Sequence, residues 1–594
     1  MVMSGNEDEI IQMGNLAERL RQLGRYEDAA RLFSKTMVLI SEHGAAPHTE
    51  AAICSNFGQL LTLHCEHELA VNLQRRALEL DKKKGSKEDL GFSHHNLGLA
   101  LLAAKKKEEA IFHLQKALDY RRQIWDFSEL AVTVAMLLEA FLDADRNADA
   151  RSLVEEWRDL ERLAGRVPAL RTYKAAMAKL AMRDGCEDEA CRLISDAIDI
   201  LEEARREKEG IERLDLFDAR YNKHYLEAIE LFLACGRVEA ALVLIDRTRF
   251  RSACDTFERC KEVCTPVDPG ALELPPVGAD ELFLVEWVYP SHDWSFSLRN
   301  TEHSIGFRRI KTSNITGPPK ELDLATQWRE HFWGRIRQTQ AVIDCYQAEL
   351  KEISRLRLIP HGAQWQTPFA ALMHPVSRKP LLATHEVLVV PSLRYCELAD
   401  AMPRSHERRH LVVGDPNNNL TGAREEALSV ARILDCEPVL GSSATRERVR
   451  SLLFGDIPWG IIHFAGHGYY DNRGLQGIAL SDGVLTADEL ITEHARKLKA
   501  QVVCLMACWT GMVNTDVWNE LHGFVRGLLV AGVLNVVASS FPLDDTFART
   551  FCENFYADYR SDWDPVGAFR RAFVETRKPE DATSWGGLYI TGKR

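Results

Sequence analysis

Two side chains in this 594-residue chain stand out as able to do chemistry, His467 and Cys508. Each closes an apolar run of strand length. The first run is Trp459-Gly-Ile-Ile-His-Phe-Ala-Gly-His467-Gly468; the second, about forty residues later, is Val502-Val-Cys-Leu-Met-Ala-Cys508-Trp-Thr-Gly511. Side by side in a parallel sheet, the two runs would set an imidazole next to a thiol at one sheet edge. Cysteine attacks a carbonyl as the thiolate and needs a partner for its proton, most often His. The oxyanion that forms needs donors, which backbone N–H groups supply without a side chain. Gly468 lets the backbone approach a substrate closely, and the N–H of Cys508 is a second natural donor. Thr510-Gly511 gives the chain a way to turn out of the strand.

Spacing separates these two residues from their neighbours. On a strand, residues four apart point the same way but stand about 13 Å from each other. His463 therefore reads as a buried, hydrogen-bonded core histidine, and Cys504 as a small apolar core residue. The same spacing argues against zinc. Only one of His463/His467 and one of Cys504/Cys508 could reach a common ion at about 2.0–2.3 Å, so neither a metal nor another cofactor is expected. Walker-type phosphate loops, Gly-x-Gly-x-x-Gly and Gly-x-Ser-x-Gly do not occur in the sequence, which leaves the common nucleotide and serine-hydrolase readings without a motif. Asp544-Asp545 opens a helical stretch and reads as an N-cap, the alternative being a carboxylate lining a substrate pocket.

The elements that would position the two residues lie in the second half. A Pro/Gly-rich passage from Cys264-Thr-Pro266 to Pro275-Pro-Val-Gly278 breaks helices and marks a boundary. Beyond it, residues 281–289, 294–299 and 304–311 read as antiparallel strands and 321–355 as one long helix. Short apolar strands follow at 356–360, 386–390, 410–413 and 533–539, with a last one at 587–591. Amphipathic helices are expected at 392–401, 423–434, 446–453, 545–559 and 565–576. Such alternation predicts a mainly parallel sheet covered on both faces, in which catalytic groups collect at the carboxyl ends of strands. His467 and Cys508 both fall there.

The first half carries an internal repeat. Gly24-x-Tyr-x-x-Ala29 sits in a helical pattern, Asn56-Phe-Gly58 precedes Ala70, and Asn96-Leu-Gly98 precedes Ala110. The alanine returns as Ala150, Ala190 and Ala241, at successive spacings of 41, 40, 40, 40 and 51 residues. A small residue lets two helices approach closely, and such units bury their faces only by stacking. The pattern resembles tetratricopeptide repeats, with a longer unit than that family's ~34 residues. It predicts about six two-helix units with a surface for a peptide or protein.

The expected layout is a tail at 1–8, helical repeats at 9–255, a linker at 256–279 and an α/β domain at 280–594, divided near residue 400. Lys105-Lys-Lys107 reads as a solvated repeat turn and Arg404-Ser-His-Glu-Arg-Arg-His410 as a charged connector. Formal net charge is −13, which gives no general footprint for nucleic acid. The N-terminus lacks an apolar segment of signal type and no run of eighteen apolar residues occurs, so neither secretion nor membrane insertion is expected. Fourteen cysteines without paired spacing fit reduced, cytoplasmic thiols.

His463-Phe-Ala-Gly-His467-Gly468 followed by Leu505-Met-Ala-Cys508-Trp-Thr-Gly511 resembles the CHAT domain, a caspase-like cysteine peptidase type often joined to tetratricopeptide repeats. The resemblance extends through Leu358-Ile-Pro-His-Gly362, Pro368-Phe-Ala-Ala-Leu372, Val412-Val-Gly-Asp-Pro416 and Gly422-Ala-Arg-Glu-Glu426. It continues in Ala531 to Ser539 and Pro542-Leu-Asp-Asp545, ending at Trp585 to Gly592. It implies a caspase-type α/β/α sandwich with His467 as base and Cys508 as nucleophile. Met506 stands where wider relatives carry an acidic residue that favours a basic P1 side chain, so basic specificity is not expected from it. Trp509 is large beside the nucleophile and, with Met506, Asp544 and Asp545, is expected to shape the pocket. The expected function is a cysteine endopeptidase of a protein substrate, regulated through the repeats by a protein partner. Family-level analogy suggests bacterial defence or programmed cell death, with an RNA-guided CRISPR effector as one such partner. The rival expectations are a non-catalytic repeat scaffold with an inactive caspase-like module, and a thiol-dependent acyl transferase.

Overall fold

A computed structural model describes residues 3–22, 25–84, 86–124, 127–160, 162, 168–206, 211–249, 277–289, 292–299, 305–310, 334, 336–400, 409–455, 458–470, 476–493, 497–507, 523–541, 543–578, 582 and 585–593. Most of the expected linker, the connector from 401 to 408, and Cys508 and Trp509 lie outside these residues. The chain divides into two compact units. Residues 1–217 and 226–237 form the first; residues 218–225 and 238–594 form the second.

The first unit is helical. Its two-helix units pair α1 (Met3–Gln22) with α2 (Tyr26–His43), α3 (Pro47–Leu63) with α4 (His67–Lys84), and α5 (Lys87–Ala103) with α6 (Lys107–Ile124). The series continues through α7 (Phe127–Asp143), α8 (Asn147–Glu156), α9 (Pro168–Arg183) and α10 (Glu187–Arg206), and enters α11 (Ile211–Ala234). Ala29, Ala70, Ala110, Ala150 and Ala190 are all 0% exposed, as helix seams that admit only a small side chain require. Gly98 serves the same end: a Cβ there would meet Leu114 Cγ at 2.7 Å. Phe33 and Phe57 stack between units with centroids 5.4 Å apart.

Among the described residues, five repeat turns are alike. Cys65, Lys105, Asp145, Gly185 and Gly236 have φ of 62°, 59°, 57°, 74° and 68°. The next residue's N–H reaches back to a carbonyl of the preceding helix: Glu66 to Leu61, Lys106 to Leu101, Arg146 to Phe141, Cys186 to Ala181 and Arg237 to Phe232, at 2.8–3.0 Å. This is the left-handed C-terminal stop that satisfies carbonyls a helix end leaves open. Only two of the five positions carry glycine, so the motif is visible in the sequence at Gly185 and Gly236 but masked by side chains elsewhere.

The second unit holds α12 (Val238–Arg247) together with the sheet domain. The Asp246 carboxylate accepts from Leu393 N at 2.6 Å and Arg394 N at 2.9 Å, which caps α13 (Leu393–Asp400). Arg249 Nη1 donates to the Ile359 carbonyl at 2.9 Å. Burial raises the Asp246 pKa above the usual carboxylate value and lowers that of Arg249 to about 10.

Eleven strands form one sheet. In chain order they are β1 (Glu281–Tyr289), β2 (His292–Leu298), β3 (Ile305–Ile310), β4 (Arg355–Ile359), β5 (Glu386–Val389), β6 (His410–Gly414), β7 (Val439–Leu440), β8 (Trp459–Gly466), β12 (Ala500–Ala507), β13 (Val533–Ser539) and β14 (Leu588–Gly592). Their order across the sheet is β3-β2-β1-β4-β5-β14-β13-β12-β8-β6-β7. The β1–β2–β3 edge and the β13–β14 pair are antiparallel; the other neighbours are parallel. All seven residues of β13 are buried, as a strand covered on both faces must be. A helical repeat region followed by a mixed, mainly parallel sheet domain is thus the fold.

Two features depart from expectation. The helix expected over 321–355 does not reach 355: residues 336–344 are helical, a 3₁₀ turn follows at Glu349–Lys351, and β4 starts at Arg355. Ser354 N and Arg355 N both donate to the Asp280 carbonyl, at 3.0 and 3.1 Å, which draws the chain into extended pairing with β1. The second feature is a small antiparallel sheet of β9 (Gly468–Tyr470), β10 (Gln476–Leu480) and β11 (Gly483–Thr486), directly after His467. Among the described residues no helix is long and apolar enough to cross a membrane.

Candidate active site

β8 and β12 are neighbours and run parallel. Their register pairs Cys504 with His463, Met506 with Ala465 and Ala507 with Gly466. The last pair comprises the residues immediately before Cys508 and His467. Residues in register on parallel strands project to the same face, and alternate residues share a face. His463 lies within β8, whereas His467 is the first residue beyond its end.

His463 and His467 live in different surroundings. His463 is fully buried. Its Nδ1 lies 2.8 Å from the Tyr556 hydroxyl and its Nε2 lies 3.0 Å from Glu426 Oε1. Glu426 belongs to α14 (Thr421–Leu434) and Tyr556 to α18 (Asp545–Asp562), helices that pack together. Cys504 is buried beside them, and burial pushes its thiol to about 12. Cys552, 3.7 Å from Glu426 Oε1, is pushed well above the usual thiol range for the same reason. Burial disfavours the thiolate at both positions, which argues against either as a nucleophile.

Glu426, His463 and Cys552 bring a carboxylate oxygen, an imidazole nitrogen and a sulfur within 4.8 Å of one another. A structural zinc site takes four protein ligands, whereas this set offers three, and its carboxylate already faces the imidazole. The group serves as a polar tie between β8 and the two helices.

His467, by contrast, is exposed at the end of β8. Its Nε2 lies 3.1 Å from Asn419 Oδ1, and its carbonyl accepts from Ala479 N at 3.0 Å. That bond makes the adjacent Gly468–Ile478 pair of β9 and β10 the non-hydrogen-bonded kind. The Gly468 N–H is therefore turned away from β10. Sequence reasoning missed Asn419, which lies in the loop after β6; its signal was only the run Asn417-Asn-Asn419 after Asp415-Pro.

The remaining expected pocket residues are not alike. Met506 is buried in β12, at 7% exposure. Asp544 caps α18, accepting from Phe547 N at 2.9 Å. Asp545 is exposed, and its carboxylate sits over Gly422 at the start of α14, where a Cβ would meet Oδ2 at 2.8 Å.

Residues 337–593 match the family model of the CHAT domain. Tetratricopeptide repeat protein 28 of Mus musculus is 30% identical over 132 residues, which are 19% of this chain and 5% of that protein. The human protein of the same name gives 30% over 135 residues, again 5% of its length. The chain thus spans a small fraction of these relatives. Among solved structures, a Saccharomyces cerevisiae separase–securin complex is 10% identical with a TM-score of 0.47, covering 92% of this chain and 53% of that one. The quorum sensor NprR of B. thuringiensis in its apo form is 15% identical with a TM-score of 0.31, covering 41% and 64%.

Proposed function

We propose that this CHAT domain is a cysteine endopeptidase in which Cys508 is the nucleophile and His467 its base. One observation carries the reading: the β8–β12 register ends with Ala507 opposite Gly466. Cys508 and His467 are the next residues along the chain from that pair, at the ends of two neighbouring parallel strands, where catalytic groups of such sheets gather. The burial of Cys504 and Cys552 supports it by disfavouring two rival thiols.

The steps follow from the groups. The imidazole takes the Cys508 proton, and the thiolate sulfur forms a bond to the substrate carbonyl carbon. The carbonyl oxygen takes the negative charge and is held by backbone N–H groups, with Gly468 and Cys508 as the donors. The C–N bond breaks as the imidazolium protonates the leaving amine. Water, deprotonated by His467, then attacks the thioester carbon and releases the acid and the thiol. Met506 cannot pair with a basic side chain; Trp509 and the exposed Asp545 remain the pocket residues of this reading.

The tetratricopeptide-like repeats serve protein–protein interaction, and here they recruit the substrate or an activating partner. Ten cysteines among the described residues are free thiols, which agrees with a cytoplasmic, reducing setting. A role in defence or cell death, with an RNA-guided CRISPR effector as partner, is the family-level form of this proposal.

A peptide probe that alkylates active-site thiols tests it. Labelling of the full chain, lost in Cys508→Ala and reduced in His467→Ala, is the expected result. Labelling that persists in Cys508→Ala, or its absence in every partner-supplemented condition, would leave the chain a repeat scaffold with an inactive module.

A further inference from the structure

We infer that Asn419 is the positioning residue of His467, so that the site works as a Cys508–His467–Asn419 triad with Nδ1 as the reacting nitrogen. The inference rests on the peptidase reading above and names the orienting group which that reading lacks.

The contact itself is Asn419 Oδ1 to His467 Nε2, at 3.1 Å. An amide oxygen only accepts. The nitrogen facing it must therefore carry the proton, and the neutral ring must present its lone pair at Nδ1. Asn419 thus selects one of two tautomers and one ring orientation, which is the task of the third group in a nucleophile–base arrangement. An exposed imidazole without such a partner would populate both tautomers and several rotamers, and only a fraction of them would face the thiol.

The loop that carries Asn419 is built to hold it. Asp415, the residue after β6, is 4% exposed, and its Oδ1 accepts from both Asn419 N at 2.9 Å and Leu420 N at 3.0 Å. Asp415 N donates to the carbonyl of Ala465 at 2.9 Å, two residues before His467. Asn418 N donates to the Asp415 carbonyl at 3.1 Å, and the Asn418 side chain accepts from Arg424 at 3.3 Å. Asp415 and Asn418 both take left-handed backbone, at φ 43° and 55°. Asp and Asn tolerate that conformation better than most residues. Pro416 packs on Gly466, where a Cβ would meet its Cδ at 3.1 Å. The loop is therefore tied to the same strand that delivers His467, and the amide and the imidazole share one support. Groups held on a common rigid element keep their geometry far better than two independent loops would.

A neutral amide suits this role in a cysteine enzyme. Its oxygen also accepts from the imidazolium that forms when the thiol ionises.

The test is the rate at which iodoacetamide alkylates Cys508 in the full-length protein at neutral pH, read by mass spectrometry. Iodoacetamide needs no substrate recognition, so the substrate need not be known. Three variants separate the outcomes. His467→Ala removes the base and is expected to slow alkylation by about 10²-fold. Asn419→Leu keeps the size and removes the acceptor, and is expected to slow it about tenfold, a part of the effect of losing the base. Asn419→Asp keeps an acceptor at the same place and is expected to restore the rate to within about threefold of the parent chain. Asn419 is exposed, so none of its variants disturbs the core. A wild-type rate in Asn419→Leu, with His467→Ala slow, would overturn the positioning role and leave the peptidase reading standing. An Asn419→Asp rate as low as that of Asn419→Leu would also overturn it, since the acceptor would then not be what matters. A wild-type rate in His467→Ala would overturn the peptidase reading itself.

Discussion

His463 Nε2 and Glu426 Oε1 face each other at 3.0 Å with almost no access to solvent, joining β8 to α14. An ion pair or charge-assisted bond in such a place costs desolvation of both groups, so its net stabilisation is small. Its loss is another matter, because His463 Nε2 is then left buried without its acceptor, Tyr556 serving only Nδ1. Glu426→Ala is expected to destabilise the sheet domain by about 3–5 kcal/mol. Glu426→Leu combined with His463→Leu, which removes both polar groups, is expected to lose distinctly less. Urea titrations of the three proteins measure this; equal losses in the single and double variants would show that the pair has no special coupling.

The repeat turns give a backbone prediction. A Cβ at Gly185 would touch nothing within 4 Å, yet φ is +74°. Gly185→Ala therefore has a purely conformational cost, about 1 kcal/mol. Lys105, at φ 59°, already bears that cost, and Lys105→Gly is expected to leave stability unchanged or raise it by up to about 1 kcal/mol. Amide hydrogen exchange in the flanking helices reads both. Faster exchange around Lys105→Gly would mean that the side chain contributes more than the backbone strain removes.

Burial of neutral histidines sets a pH response in the repeat unit. Burial lowers His95 to about 3 and His94 to about 4. A base whose folded pKa is depressed stays neutral in the folded state while the unfolded chain protonates near pH 6.5. Stability is then whole above about pH 6.5 and is lost as pH falls below it, down to the folded value. Each unit of depression amounts to about 1.4 kcal/mol, so His95 alone contributes on the order of a few kcal/mol to the loss. His95→Gln keeps a polar partner for Thr133, which lies 3.3 Å from His95 Nδ1. It is expected to flatten the decline of helical circular dichroism between pH 7 and 4; an unchanged slope would place the acid sensitivity elsewhere.

Much of this molecule was legible in its sequence where the signal is local. The repeat alanines recur at a nearly constant spacing because each seam is made by residues close in the chain, so Ala29, Ala70 and Ala110 announced helix seams in which all three are fully buried. The role of His463 followed from strand geometry alone, since no residue four positions from a strand end can share a reaction centre with the residue at that end. Apolar runs bounded by turns likewise marked β8, β12 and β13.

Other features depended on where distant segments meet. That β14 lies between β5 and β13, parallel to one and antiparallel to the other, has no mark in its own residues. The entry into β4 is tied to the Asp280 carbonyl, more than seventy residues upstream. Glu426 and Tyr556 as the partners of His463, and Asn419 as the partner of His467, come from separate helices and a loop with no shared pattern. By itself the sequence determined which segments would form strands and which repeats would stack, because composition and periodicity act over a few turns or strand lengths. Tertiary structure alone decided which acceptor holds His467 and which face of β8 is sealed, because those contacts arise only when strands and helices far apart in the chain are packed together.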